Sequence, residues 1–403
     1  MRAQIRRLIL KRFRSVLEAQ IDLDNPLFLV GQNGSGKSNV ADAFAFLAEA
    51  MAAPLKSVFD NRGGISNVRN RTSVSGFPPN LGVAVEFGPL GEDILAGRYA
   101  FEVAAERDYG FRVKREQCVL NTRTTTRYFD RDEKKGFQTS ATGLAPALEP
   151  VSLCLPLVGG DARFAPIFRA LSSMRVYAID PQKLRNLQEP DIGESLRRDG
   201  SNAASVLDEI TKQSSDDATE IGEVLSTMVP NTVKISPVRL ANKLSFKFEQ
   251  GWGENKKLSF DAFSMSDGTL RALGLLLAVY QRQTPALMVI EEPESTIHPG
   301  ALGAILDLIH IASKKTQVVI TTHSPDLLDA AKWIEERHLR VVSWHEGATY
   351  ISPIPEASRK ALKNHLMGAG ELLRSNVIRS PSPPELFEGH PGQMKIFLDH
   401  HGA

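Results

Sequence analysis

The chain has 403 residues, 42% of them hydrophobic, enough for one large or two ordinary domains with a real core. Forty-eight basic against 47 acidic residues leave a net charge of +1, so overall charge selects neither nucleic acid nor a membrane surface. The only two cysteines, Cys118 and Cys154, stand at no metal-ligand spacing. That usage, with no signal peptide and no apolar run long enough to span a bilayer, predicts a soluble cytoplasmic protein.

Taken in order, the first fourteen residues alternate Arg2, Arg6, Arg7, Lys11, Arg12 and Arg14 with Ile5, Leu8, Ile9, Leu10 and Phe13, which predicts a strand with a solvated basic face. Leu27–Val30 reads as a buried strand that enters Gly31-Gln32-Asn33-Gly34-Ser35-Gly36-Lys37-Ser38. That stretch fits G-x-x-x-x-G-K-[ST], a loop whose backbone N–H groups point inward at phosphates. Asn33 to Gly36 would wrap the phosphates, Lys37 would add a point charge, and the Ser38 hydroxyl could ligate Mg²⁺. A helix follows immediately, and its N-terminus favours an anion. The pattern therefore predicts binding of a nucleoside triphosphate.

From about 80 to 140 the pattern shortens to alternating runs, among them Val83–Phe87, Tyr99–Val103 and Phe111–Glu116, as in an antiparallel meander. Arg112, Lys114, Arg115, Arg123 and Arg127 there could track a DNA backbone. Asp130-Arg131-Asp132, followed by Glu133-Lys134-Lys135-Gly136, reads as an exposed hairpin turn rather than a metal site. Residues 162–230 read as mainly helical, interrupted near Pro181 and Pro190. Strand-like alternation returns over Val233–Phe248, and a helix follows Ser266. The interval from Ser38 to Ser266 is dotted with Gly and Pro, so no heptad repeat persists across it and a coiled-coil arm is excluded. Ser380-Pro-Ser-Pro-Pro384 reads as an extended linker before a short tail in which His400 and His401 are surface residues.

Ala286–Ile290 is an apolar strand that ends in Glu291-Glu292-Pro293-Glu294. Ligands of open α/β sheets bind beyond the carboxyl ends of strands, so these acids are expected to face the crevice of the phosphate loop. Glu291 would hold the Mg²⁺ shell through water, and Glu292 would polarise the attacking water. Thr316–Thr322 is the next strand, with His323 at its carboxyl end and Ser324-Pro325 as N-cap and first helical residue. His323 would stand beside Glu292 and hydrogen-bond the γ-phosphate or the water.

Phe13-Arg14-Ser15, the phosphate loop, Ser266-Asp267-Gly268, Glu291-Glu292-Pro293-Glu294 and Thr322-His323-Ser324 occur in that order. The chain thereby resembles the ABC-type ATPase heads of the SMC/RecF class over about residues 1–50 and 233–335. Within that class it looks most similar to compact RecF-like and OLD-like AAA family ATPases of bacteria, which here would carry neither coiled coil nor fused nuclease domain. The resemblance implies a P-loop α/β fold with a mixed sheet, flanking helices, an antiparallel β lobe and a helical insert. The ATPase core would comprise 1–60 and 233–360, the β lobe 61–160, the helical insert 161–232 and a C-terminal extension 361–403. The family further implies hydrolysis of ATP with Mg²⁺ in a homodimer or higher oligomer that sandwiches two ATPs. Ser266, Asp267 and Gly268 of one protomer would then form the signature on the nucleotide held by Lys37 of the other, with Arg14 also binding ATP. Asp267 replaces the commoner second glycine and must turn away from the phosphate; Glu291 stands where many relatives carry Asp. Gln182 is the candidate for the family's metal-facing glutamine loop. The implied role is a dimerisation switch controlling a DNA transaction or a partner nuclease or toxin, as in antiviral defence. RecF-like DNA repair and a non-hydrolysing scaffold are the competing roles.

Overall fold

The computed structural model describes residues 4–70, 80–90, 92–106, 110–229, 232–252, 256–331, 333–375, 377–378 and 395–398. The Pro-rich linker at 380–384 and His400-His401 lie outside them. In chain order the strands are β1 (Ile5–Phe13), β2 (Val16–Asp22), β3 (Leu27–Val30), β4 (Leu81–Phe87), β5 (Ile94–Ala105), β6 (Phe111–Thr122), β7 (Thr126–Asp132) and β8 (Gly136–Thr139). They continue with β9 (Arg175–Tyr177), β10 (Thr232–Leu240), β11 (Lys243–Trp252), β12 (Lys256–Asp261), β13 (Leu287–Glu291), β14 (Gln317–Thr322), β15 (Leu339–His345) and β16 (Ala348–Pro353).

The chain forms two compact units: residues 1–174, 336–360 and 376–403, and residues 175–335 with 361–375. The first unit carries strands in the order β8-β7-β6-β5-β4-β1-β2-β16-β15-β3. Neighbours are antiparallel except β16 with β2 and β15 with β3. All four residues of β3 are buried, as its apolar run requires. The helix Lys37–Ala52 leaves the phosphate loop rich in alanine, the best helix former, and packs Phe46 edge-on against Phe13 of β1 at 5.5 Å. Phe59 and Phe101 close around the same ring, so this aromatic cluster fixes the helix that carries Ser38.

The second unit holds a parallel sheet, β9-β13-β14, and a separate antiparallel sheet, β10-β11-β12. Helices Ala203–Gln213, Ser215–Met228 and Asp267–Tyr280 belong to it. Gly274 lets the last of these approach Ile179, since a Cβ there would lie 2.6 Å from Ile179 Cγ2. Among the described residues no helix exceeds the 16 residues of Lys37–Ala52, in keeping with the absence of heptads, and none is long and apolar enough to cross a membrane.

Three local expectations are corrected. The stretch read as helical contains β9, three residues too short for a period to register. Pro181 starts the helix Pro181–Arg185 instead of interrupting one, because its missing N–H costs nothing at the first position. Asp130 belongs to β7 and is buried, where it accepts from Arg115 and Gln117; only Asp132 caps the following turn.

Candidate functional site

In the first unit the chain curls back after Val30 through Gly34 at φ +78° and Gly36 at φ +104°. At both, an L side chain is strained by backbone conformation alone. A Cβ at Gly36 would also lie 2.1 Å from Thr349 Oγ1, and one at Gly31 would lie 2.1 Å from the Val342 carbonyl, so two strands of the sheet press on the loop. Gly34, by contrast, faces open space. Lys37 is buried and donates from Nζ to the carbonyls of Gly31 and Gln32, each at 2.9 Å, which bends its ammonium over the loop. Gly36 caps the helix without a side-chain bond, and its carbonyl accepts from the Asn39 and Val40 N–H groups at 3.0 and 3.2 Å. Ser38 is exposed in that turn.

The loop is latched from two distant places. Thr349 Oγ1 donates to the Ser35 carbonyl at 2.9 Å and shares a 2.7 Å bond with Ser15 Oγ, which also accepts from Asn39 Nδ2. Arg14 holds Asp42 of the helix at 2.6 Å from a left-handed backbone, φ +48°. A polar cavity of about 340 Å³ opens beside these residues, lined by Arg14, Ser15, Asn39, Asn67, Arg69, Asn70 and Gly347.

In the second unit, parallel pairing of Glu291 with Thr321 places the carboxyl ends of β13 and β14 side by side. Glu292 follows at φ +44°, a conformation unusual for a residue with a side chain. Its N–H donates to Thr321, and its carbonyl accepts from Arg271 Nη1 at 3.1 Å. His323 Nδ1 lies 3.3 Å from Glu292 Oε1, within ion-pair reach but outside hydrogen-bond alignment. Glu294 is buried and accepts from Thr322 Oγ1 at 2.6 Å; burial pushes its carboxyl above the usual range despite that bond. Glu291 accepts from Arg198 Nη2 at 2.7 Å.

Ser266 caps the helix Asp267–Tyr280, accepting from the Thr269 N–H at 3.2 Å. Asp267 accepts from Arg185 at 2.6 Å, which neutralises it. Gly268 is required by close approach: a Cβ would sit 2.6 Å from the Thr296 carbonyl.

Residues 27–149 and 158–329 match the family described as "AAA domain, putative AbiEii toxin, Type IV TA system". This chain belongs to that AAA-domain family. Among solved structures, the AAA-domain chain is similar to an SmcHead bound to the C-winged helix domain of ScpA, with 16% identity and a TM-score of 0.57 over 89% of this chain and 99% of that one. It is also similar to a Pyrococcus furiosus Smc head domain with an extended coiled coil bound to the C-terminal domain of ScpA, with 13% identity and a TM-score of 0.56 over 91% and 100%. No curated protein matches. At such identities the likeness shows the fold, which is that of a P-loop ATPase head of ABC/SMC type with a mixed sheet and flanking helices.

The residues fit the nucleotide that this AAA-domain fold implies. Ser35 Oγ is buried without a hydrogen-bond partner, and Gly34 leaves the loop open where its side chain would project. For Mg²⁺ the fit is narrower: Ser38 is exposed, whereas Glu291 already meets a guanidinium. Gln182 stands exposed in the first turn of Pro181–Arg185, its N–H donating to Asp180. Of the five basic residues expected to form a surface on the β lobe, Arg112 meets Glu106 and Glu133, Lys114 meets Glu102, and Arg115 meets Asp130. Sequence reasoning missed Thr349, Arg271, Arg198 and the burial of Glu294. Arg271 alone had a signal, since it ends the Ser-Asp-Gly-Thr-Leu-Arg run that opens the signature helix.

Proposed function

We propose that this protein binds and hydrolyses ATP and uses ATP-dependent pairing of two copies to control a partner effector. The observation that carries the reading is the strained Glu292 backbone beside His323 at the strand ends, in a chain that also holds an uncapped glycine-loop helix start. Strain at a non-glycine residue persists where the surrounding structure over-determines it, as at a reacting group.

In this reading Lys37 and the N–H groups from Asn33 to Ser38 bind the phosphates. Arg14, Ser15 and Asn39 line the cavity for the nucleoside. Bound Mg²⁺ would neutralise charge on the phosphates, held by Ser38 and, through its water shell, by Glu291 or Gln182. Glu292 accepts a proton from the attacking water, and His323 orients that water. Ser266 and Gly268, a capped helix start whose neighbouring acid is tied to Arg185, serve the partner protomer's nucleotide. The family's description, "AAA domain, putative AbiEii toxin, Type IV TA system", favours a role in defence over repair of DNA. The ion pairs that occupy Arg112, Lys114 and Arg115 point the same way.

The deciding experiment mixes two inactive variants, Ser266→Arg and Lys37→Ala, and follows phosphate release against mixing ratio. A mixed dimer has one site with both defects and one with neither, so activity should return. No recovery at any ratio, with an active wild-type monomer, would refute the paired arrangement.

A further inference from the structure

On one face of the first unit's sheet, the register aligns Ile9 with Ala84 and Ala84 with Ala100, followed across the strands by Gln117 and Asp130. The flanking rows are long and charged: Arg7, Glu86 and Arg98 on one side, Lys11, Glu102 and Arg115 on the other, with Gly82 between Lys11 and Glu102. A row of alanines between rows of arginine and glutamate makes a trench that crosses four strands.

Residues Lys395–Leu398 occupy this trench. Ile396 is buried against Ile9, Ala84 and Ala100, and its Cδ1 would be 3.0 Å from a Cβ at Gly82. Arg98 donates to the carbonyls of Ile396 at 2.7 Å and Lys395 at 3.1 Å. Gln117 reads both backbone groups of Leu398, donating to its carbonyl at 3.1 Å and accepting from its N–H at 2.9 Å. The Arg115 guanidinium lies 4.5 Å from the Phe397 ring centroid. Asp130 accepts from both Arg115 and Gln117, so the gripping groups are oriented by the sheet itself. Main-chain contacts give affinity for any extended segment, while the alanine floor and the guanidinium select an aliphatic residue followed by an aromatic one.

We propose that the trench across β1, β4, β5 and β6 is a binding site for an extended aliphatic–aromatic–aliphatic peptide, and that Lys395–Leu398 of this chain is its tethered occupant. A partner protein bearing such a segment gains the site by displacing the tail. Occupancy of the trench does not depend on ATP chemistry.

The probe is a fluorescein-labelled peptide of residues 392–400, titrated without nucleotide and read by polarisation. A tethered ligand competes at an effective concentration of about millimolar, so the wild-type full chain should bind the peptide weakly. Full-length Ile396→Asp, whose own tail no longer fits the floor, should bind it at least about tenfold more tightly. Adding Ala100→Leu, which fills the floor, or Gln117→Ala should remove that gain. For the wild-type chain, an excess of the same peptide carrying Lys395→Gln, which trypsin does not cut, should speed tryptic cleavage after Lys395 of the chain, a readout that needs no variant protein to fold. Equal binding by wild type and Ile396→Asp, together with cleavage indifferent to peptide, would overturn the proposal. A nucleotide-free wild-type dimer that becomes monomeric in Ile396→Asp would overturn the assignment to the chain's own tail and place the tail in a second copy.

Discussion

Replacing Glu292 by Gly should abolish ATP hydrolysis and yet leave the protein at least as stable as the wild type. Glu292 sits at φ +44°, where a side chain costs about 1–2 kcal/mol that glycine does not incur. Glycine gives back about 0.5–1 kcal/mol through the greater freedom of the unfolded chain. The carboxylate offsets little of this strain. It is about a third exposed, its approach to His323 lacks hydrogen-bond alignment, and its contact with Ser295 Oγ is long at 3.4 Å. The backbone contacts to Thr321 and Arg271 survive the change, since they use the N–H and carbonyl. The balance is a gain of about 0.5–1 kcal/mol for Gly. Glu292→Gln provides the reference, because it keeps the strain and loses only the ability to accept a proton. Urea unfolding midpoints of the three proteins, read beside phosphate release and ATP affinity, test the reasoning. Both variants should bind ATP, and turnover should fall about 100-fold or more. A Gly variant less stable than the Gln variant by more than about 1 kcal/mol would show that the left-handed turn stores no strain.

Lys37→Ala should weaken ATP binding about 10–100-fold, the loss of one charge-assisted contact of about 1.5–3 kcal/mol, measured by titration with a fluorescent ATP analogue. Gly268→Ala brings a Cβ to 2.6 Å from a backbone carbonyl and should cost about 1–3 kcal/mol in thermal unfolding. Glu116 is fully buried and accepts from the Cys154 and Leu155 N–H groups and the Tyr99 hydroxyl, and burial raises its pKa above the ordinary carboxylate value. Glu116→Gln turns an amide N–H toward one of those donors and should cost about 2 kcal/mol. A raised folded-state pKa contributes stability that is full below the ordinary carboxylate value and is lost as pH rises through the folded one. The melting difference between wild type and Gln should therefore be largest at the acid end and narrow upward; a difference that widens with pH would contradict this.

The parts of this molecule that were legible in sequence are those whose chemistry needs adjacent residues. A phosphate loop must be a strand, glycines and a helix start in succession, and Leu27–Val30, Gly31–Gly36 and Lys37–Ala52 form that succession. Ser266 and Ser324 could be placed as N-caps because a cap bonds only two or three residues ahead. What stayed hidden depends on partners far along the chain. Nothing near Glu291 announces Arg198, and nothing near Asp267 announces Arg185. The pairing of Arg112, Lys114 and Arg115 on the β lobe was equally invisible, since strand register decides which acid faces each base.

Thr349 closes the phosphate loop against Ser35 and Ser15, 314 and 334 positions earlier in the chain. During synthesis, residues 1–52 leave the ribosome with every residue of the glycine motif but without the strand that Gly36 rests on. Residues 175–335, the larger part of the second unit, must emerge before β16 does. A nascent chain halted anywhere in that interval carries the motif and lacks its clamp, and such non-local closure is slow. Closure of the loop thereby waits for β16, so a chain cut before Thr349 carries an intact glycine motif without its latch.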